Sequence, residues 1–228
     1  MDNKRYSRTI QIVGGDNFKK LQNIKIIIFG VGGVGGQALE SLVRAGFLHI
    51  TIVDRDVVEA SNLNRQLIAT TQNIGKPKVE VAHKRMHEIN PECHINTEYA
   101  EINAENIHEF NLEAYDYIVD AIDSFGPKMA LIKYCLTNNL HIISAMGAGN
   151  RLDPTQMIVT DISKTNGCPL AKKVRYELRK DKLSGLMVVT SKELPRVNDG
   201  IKPGSSPFVP PAGGLAIASY IFINVINK

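Results

Sequence analysis

A doubly wound α/β fold, with a mostly parallel sheet and helices on both faces, is the architecture this sequence predicts. Three observations carry it. Apolar, β-branched runs alternate with amphipathic stretches along most of the chain, and a glycine-rich turn, Gly30-Val31-Gly32-Gly33-Val34-Gly35-Gly36, follows the first such run. Aspartates, Asp54 and Asp123, close two later runs. Strands alternating with helices require right-handed crossovers and place ligands beyond the carboxyl ends of the strands, where these glycines and aspartates fall.

Residues 1–23 read as an amino-terminal arm and helix leading into the first strand. That strand is Ile24-Lys25-Ile26-Ile27-Ile28-Phe29, whose β-branched residues suit a pleated surface. The glycines after it permit a tight turn and let backbone N–H groups approach phosphates at the start of the next helix, a Rossmann-like arrangement. A second strand over 49–53 delivers Asp54, placed to accept hydrogen bonds from ribose hydroxyls. Residues 78–90 have helical periodicity and stop at Pro91. A strand over 94–102, a short helix over 104–110, a strand over 115–123, a helix over 125–139 and a strand over 141–145 follow.

The remainder forms a strand, loop and helix extension. Pro169 suits the first position of a helix and Cys168 its N-cap. Residues 185–193 read as a strand. The Pro-, Gly- and Ser-rich loop over 194–211 could order over a substrate. The charge-free segment 212–226 falls short of the roughly 20 residues a membrane span needs. It reads as a buried packing helix and a candidate for a dimer interface.

With 228 residues and 43% hydrophobic content, the chain can bury one good core, and a single domain is expected. Within it, 24–150 would be the nucleotide-binding core and 151–228 the substrate and dimer region. The net charge of +4 permits a polyanionic partner without demanding one. Cys93, Cys135 and Cys168 are far apart and form no Cys-x-x-Cys, which points to a reducing cytoplasm and away from structural zinc. The amino terminus lacks the apolar core of a signal peptide. None of the histidines stands beside a plausible nucleophile, so all are read as structural.

The nucleotide is decided by cations. Ser61-Asn62-Leu63-Asn64-Arg65-Gln66 puts an arginine soon after the ribose aspartate, and Gly75-Lys76-Pro77-Lys78 adds lysines. A dinucleotide site has little use for this density of positive charge, because a helix N-terminus already neutralises part of its pyrophosphate. Cleavage of ATP between its α and β phosphates does need it, since charge builds on the α-phosphate and on the departing pyrophosphate. An NAD-linked oxidoreductase is thereby disfavoured, and a non-catalytic nucleotide-binding scaffold remains as a further alternative.

Gly-x-Gly-Gly-x-Gly, Asp54, Asn62-x-x-Arg65-Gln66, Lys78 and Asp120-Ala121-Ile122-Asp123 together resemble the ThiF/MoeB group of ubiquitin-activating-like adenylyltransferases. The resemblance implies ATP held at Gly30, Gly32, Gly33, Asp54, Asn62, Arg65, Gln66 and Lys78. Arg65 and Lys78 would hold the triphosphate, Asp54 the ribose and Asp123 magnesium. Arg5-Tyr6-Ser7-Arg8 resembles the family's opening motif, which implies a homodimer in which Arg8 enters the partner subunit's ATP site. Each side chain also has a plain structural use. Asp123 could be an N-cap, Arg65 could pair with a surface carboxylate, and Arg5 and Arg8 could be solvated charges.

Between Lys164 and Lys182 basic residues outnumber acidic ones. Such a run is usually a solvated face, but beside an adenylylation site Lys172, Lys173, Arg175 and Arg179 are candidates for binding successive nucleic-acid phosphates. The segment 147–154 and the helix from Pro169 resemble the tRNA threonylcarbamoyladenosine dehydratase branch. That resemblance implies ATP-dependent cyclisation of a modified adenosine beside the anticodon, with tRNA as partner and a possible sulfur-transfer accessory protein. The alternative within the superfamily is adenylylation of the C-terminal glycine of a ubiquitin-like sulfur carrier. Enzymes of that type usually carry two Cys-x-x-Cys pairs, absent here. Cys168 stands where the dehydratase branch commonly has aspartate; a reactive thiolate is chemically possible there, and an N-cap is the preferred reading.

Overall fold

The computed structural model describes residues 4–197 and 203–227. Residues 1–3 of the expected arm, 198–202 of the expected substrate loop and Lys228 lie outside the described residues. The strands are β1 Lys25–Phe29, β2 His49–Val53, β3 His94–Glu98, β4 Tyr117–Asp120, β5 Ile142–Ala145, β6 Met157–Asp161 and β7 Met187–Ser191. They form one sheet in the order β3-β2-β1-β4-β5-β7-β6. Neighbours pair in parallel except β6, which runs antiparallel to β7 at the sheet's edge. The α/β class and the mostly parallel sheet are as expected.

The alternation along each strand decides which helices cover which face. Ile26, Ile28, Ile50 and Ile52 point to one side, into a cluster with Leu39, Leu42, Met86, Ile217 and Ile221. The helices there are α1 Ser7–Val13, α2 Gly15–Asn23, α3 Gly35–Ala45, α4 Lys78–Ile89 and α7 Val209–Ile226. Ile27, Phe29, Val53 and Ile118 point to the other side, against Leu131, Ile132, Val174 and Leu178. These belong to α5 Phe125–Thr137 and α6 Pro169–Lys180. Burying a large aliphatic side chain contributes about 1.5–3 kcal/mol, so the two clusters hold both layers on the sheet.

Several boundaries differ from those predicted. The strand expected over 94–102 stops at Glu98, where its partner β2 also ends, and on this edge strand only Ile95 is buried. The helix expected over 104–110 is reduced to a 3₁₀ turn at Ile107–Phe110. Asn103 and Asn106 take each other's backbone N–H groups through their side chains, at 3.1 and 2.8 Å, in competition with helical bonding. The strand expected over 115–123 ends at Asp120, because the Asp120 carboxylate accepts the Ile122 N–H at 3.1 Å and turns the chain. β6 was not anticipated, since a short half-buried edge strand lacks a clean period. α7 begins before residue 212, its prolines being tolerated in a first turn.

α7 is the one helix among the described residues long and apolar enough to cross a membrane. Its Gly213, Gly214, Ile217, Ala218 and Ile221 are nevertheless buried. Gly214 lets it lie close on α3, where a Cβ would stand 2.3 Å from the Val34 carbonyl oxygen. The reading of this segment as a packing helix agrees with that contact.

Gly35→Ala should strongly lower the melting temperature, because its Cβ would lie 1.8 Å from the Gly30 carbonyl oxygen. Gly15→Ala has nothing within 4 Å of the new methyl and should leave the melting temperature unchanged or raised. Thermal denaturation followed by circular dichroism checks both.

Candidate active site

The glycine turn after β1 is shaped by two close approaches. Gly30 has φ +88°, and a Cβ there would stand 2.7 Å from the Ala121 carbonyl oxygen, so the ends of β1 and β4 meet only without a side chain. α3 then starts at Gly35 with no side-chain cap. Among the described residues, no acceptor takes the N–H of Gly32 or Gly33. Unsatisfied amides at a helix N-terminus form an anion site.

Asp54 leaves β2 buried, 8% exposed. Its Oδ2 accepts the Val31 N–H and its Oδ1 the Asp56 N–H, both at 2.8 Å. Burial raises its pKa, and the Lys78 charge and the two backbone bonds only partly oppose this. Each carboxylate oxygen retains a free lone pair for a further donor. Lys78, at the start of α4, is buried and donates to Asp56 Oδ2 at 2.7 Å, while its backbone N–H donates to the Asp56 carbonyl at 3.0 Å. The anion that a lysine at a helix start requires is therefore Asp56 within this chain. Sequence reasoning overlooked Asp56; its spacing of two from Asp54 was the available signal.

The 60–66 segment lies against the glycine turn. A Cβ on Gly33 would be 3.5 Å from Arg65 Cγ, and one on Gly32 3.6 Å from Gln66 Nε2. Arg65 donates to the Ser61 carbonyl at 2.9 Å and to Asn64 Oδ1 at 2.8 Å, and among the described residues it pairs with no carboxylate. Asn62 is buried, and its Oδ1 accepts the Glu59 N–H at 3.1 Å in a capping box that holds the turn. Gln66 Oε1 is buried without a partner beside the glycines.

Past β4 the chain forms a turn carrying Asp123. This residue is exposed and not at the strand end, its carboxylate accepting only the Ser124 hydroxyl at 3.3 Å. It does not cap α5, which has no side-chain cap bond. Asp120, the true strand end, is fully buried and paired with Lys128 at 2.7 Å.

A model of the ThiF family matches residues 6–198. The chain belongs to the ThiF family. It is 37% identical to the tRNA threonylcarbamoyladenosine dehydratase of Bacillus subtilis, over 98% of this chain and 95% of the relative. It is similar to the crystal structure of the Escherichia coli tRNA N6-threonylcarbamoyladenosine dehydratase in complex with AMP, at TM-score 0.94 and 34% identity, covering 99% of this chain and 95% of that one. The same enzyme in complex with ATP matches at TM-score 0.93 and 35% identity, with the same coverage.

Within this ThiF-family fold, the glycine turn, Asp54, Asn62, Arg65, Gln66, Lys78 and the Asp123 turn collect at one end of the sheet. Arg8 does not join them. Its helix α1 is anchored by Tyr6, whose ring packs tilted against Phe18 with centroids 5.0 Å apart, and Phe18 in turn covers Gly46 at the C-terminal end of α3. Arg5 donates to Asn90 Oδ1 at the C-terminal end of α4. Both anchors lie at the helix ends opposite the site, roughly 16–18 Å away for helices of this length. Arg8 is exposed there.

The 147–151 loop is held from beneath by Arg151, 3% exposed, which donates to the carbonyls of Gly147 at 2.7 Å, Gly149 at 3.0 Å and Glu193 at 2.8 Å. The sequence marks the segment 147–154 only by its family resemblance, and the bonding role of Arg151 within it is visible in the fold alone. On α6, Lys172, Lys173 and Arg179 are exposed. Arg175 differs, donating to the carbonyl and hydroxyl of Thr165, which ties it to its own chain.

Cys168 is 4% exposed, and its sulfur accepts the Ala171 N–H at 3.5 Å as the N-cap of α6. Burial pushes the Cys93 thiol up to about 12 and the Cys135 thiol higher still. Alkylation of the native protein at neutral pH, followed by mass spectrometry, should therefore be slow at all three cysteines. Cys168→Ser should keep the cap and melt within a few degrees of wild type; rapid labelling of Cys168 alone would contradict the capping role.

Proposed function

We propose that this ThiF-family chain is an ATP-dependent tRNA threonylcarbamoyladenosine dehydratase, acting as one ATP-binding unit per chain. The single observation that carries this is a likeness over nearly the full length, in sequence and fold, to enzymes of that name, one of them solved with ATP and with AMP. The site supplies what adenylylation needs. Open amides at Gly32 and Gly33 and the Arg65 guanidinium receive the triphosphate, with Lys78 behind them. Asp54 takes the ribose, and Asn62 and Gln66 hold the turn carrying Arg65 against the glycines.

In the first step a carboxylate oxygen of the threonyl group bonds to the α-phosphorus of ATP, and the bond to the bridging oxygen breaks. Pyrophosphate leaves with its electron pair. The urea of the same nucleoside then attacks the acyl carbon, loses its proton and expels AMP. Attachment to the same nucleoside gives this nucleophile a high effective concentration. The nucleoside loses one water overall. The protein's work is orientation and neutralisation of charge developing on phosphate oxygens.

Among the described residues, no three potential metal-ligating side chains converge. Magnesium takes one or two carboxylates together with phosphate oxygens, so the exposed Asp123 suits a metal arriving with ATP. Such a metal would supply charge neutralisation at the phosphates. Two copies of the chain would complete the site. Arg8 lies too far from its own glycine turn and is free to enter the partner subunit's site. The exposed Leu215 and Ile223 on α7 offer an apolar face for such a pairing. Lys172, Lys173 and Arg179 form the tRNA-facing surface, and the cytoplasm is where this substrate and three unpaired thiols are compatible. An accessory sulfur-transfer protein is a further candidate partner.

Incubation with ATP and tRNA bearing threonylcarbamoyladenosine should yield AMP and a nucleoside lighter by one water. Arg65→Ala should lower the rate by about 10²-fold or more. An unchanged nucleoside mass, with adenylylation of a Gly-Gly-ended carrier protein instead, would overturn the assignment. Replacing Lys172, Lys173 and Arg179 by Glu should weaken tRNA binding and flatten its salt dependence, with ATP binding retained.

A further inference from the structure

We propose that Asp120 and Lys128 are a positioning pair that presets the turn carrying Asp123 for the metal-bound triphosphate, an inference that rests on the ATP reading above. Both side chains are 0% exposed. Lys128 Nζ donates to Asp120 Oδ2 at 2.7 Å and to the Ala145 carbonyl at 3.0 Å, and reaches Ser144 Oγ at 3.4 Å. The Ser144 hydroxyl donates to the same Asp120 oxygen. The other oxygen, Oδ1, accepts the Ile122 N–H at 3.1 Å, and the Lys128 N–H donates to the Ser124 carbonyl at 3.2 Å.

These bonds close a ring around Asp123. Ile122 before it is held by the carboxylate. Ser124 after it is held by the first turn of α5, whose lysine returns to that carboxylate. Among the described residues, Asp123 between them has no bond beyond the Ser124 hydroxyl, so its position is set by its neighbours and not by its own contacts. The turn is also pressed on the glycine loop, through Ala121 against Gly30. The reach of Lys128 to Ala145 places the entry to the 146–151 loop under the same control.

Folding alone does not call for such a pair, because an apolar pair of similar volume would fill the same space without desolvating two charges. What apolar side chains cannot supply is directional bonding to the Ile122 N–H and the Ala145 carbonyl. Ligands at metal sites depend on this kind of support, and its removal costs about 10–100-fold in metal affinity.

The test compares wild type, Asp120→Asn/Lys128→Met and Asp123→Asn. The double replacement leaves no charge buried alone; Asn keeps an acceptor for Ile122, so what the variant removes is the Lys128 anchor to Asp120 and to the Ala145 carbonyl. Melting temperature is measured first. Calorimetry then follows ATP binding as a function of magnesium concentration, and AMP binding without metal. The double variant should fold, need about tenfold or more magnesium for half-maximal ATP binding, as Asp123→Asn does, and bind AMP as wild type does. Adding Asp123→Asn to the double variant should change little.

A folded double variant with the wild-type magnesium requirement overturns the proposal. So do an equal loss of AMP and ATP affinity, an additive triple variant, or an Asp123→Asn protein with an unchanged magnesium requirement. Should the double variant not fold, Lys128→Arg and Ser144→Ala keep the charges. A raised magnesium requirement at a near-wild-type melting temperature then supports the proposal, and an unchanged one overturns it. If wild type binds ATP with magnesium yet never lightens the nucleoside, the dehydratase reading fails while this binding assay still decides the pair's role.

Discussion

Two buried aspartates at the ends of parallel strands carry the geometry of this molecule. Asp54 closes β2 and takes the Val31 amide of the neighbouring glycine turn; Asp120 closes β4 and takes the Ile122 amide of its own turn. β1 lies between them in the sheet, and its last step, Gly30, is bare so that the Ala121 carbonyl can close on it. Three strand ends are thus tied by carboxylate-to-amide bonds and one steric vacancy. Buried carboxylates are costly unless compensated. Lys128 compensates Asp120, and removal of either member alone would cost about 3–5 kcal/mol. Asp54 is less fully matched, and its raised pKa records this.

The proposed chemistry follows from where those ties leave free groups. Among the described residues, the amides of Gly32 and Gly33, the outer guanidinium N–H groups of Arg65, and the carboxylates of Asp54 and Asp123 keep hydrogen-bonding capacity that is not consumed internally. They surround one end of the sheet. Groups that could interfere are occupied: Arg175 by Thr165, and Cys168 by its cap. Arg8 is set apart by anchors at the wrong ends of α3 and α4 for its own site. In the proposed function that position is what leaves Arg8 available to a second copy of the chain.

Much of this was legible in sequence where short-range patterns coincide with long-range need. The β1 run, the glycines and Asp54 were found because a strand, a turn and a strand end sit close together in the chain. The same logic placed Asp123 too far along its strand. Whether β4 stops at residue 120 or 123 depends on a side-chain bond between Asp120 and Ile122 that leaves no hydrophobic signature. β6 escaped notice because an edge strand half covered on both sides shows no alternation. Asp56 and Arg151 escaped because their partners, Lys78 and the carbonyls of Gly147, Gly149 and Glu193, are recognisable only after folding.

The sequence by itself determined the α/β class and the family, and it fixed where the glycine turn and the candidate acids and cations fall along the chain. Periodicity, glycine and charge are local properties, and these conclusions need nothing more. Tertiary structure alone decided which charges remain available. Pairing depends on distances between residues remote in the chain, as in Lys78 with Asp56 or Lys128 with Asp120, and on burial, which sets whether a charge is exposed to a ligand or spent on its neighbours.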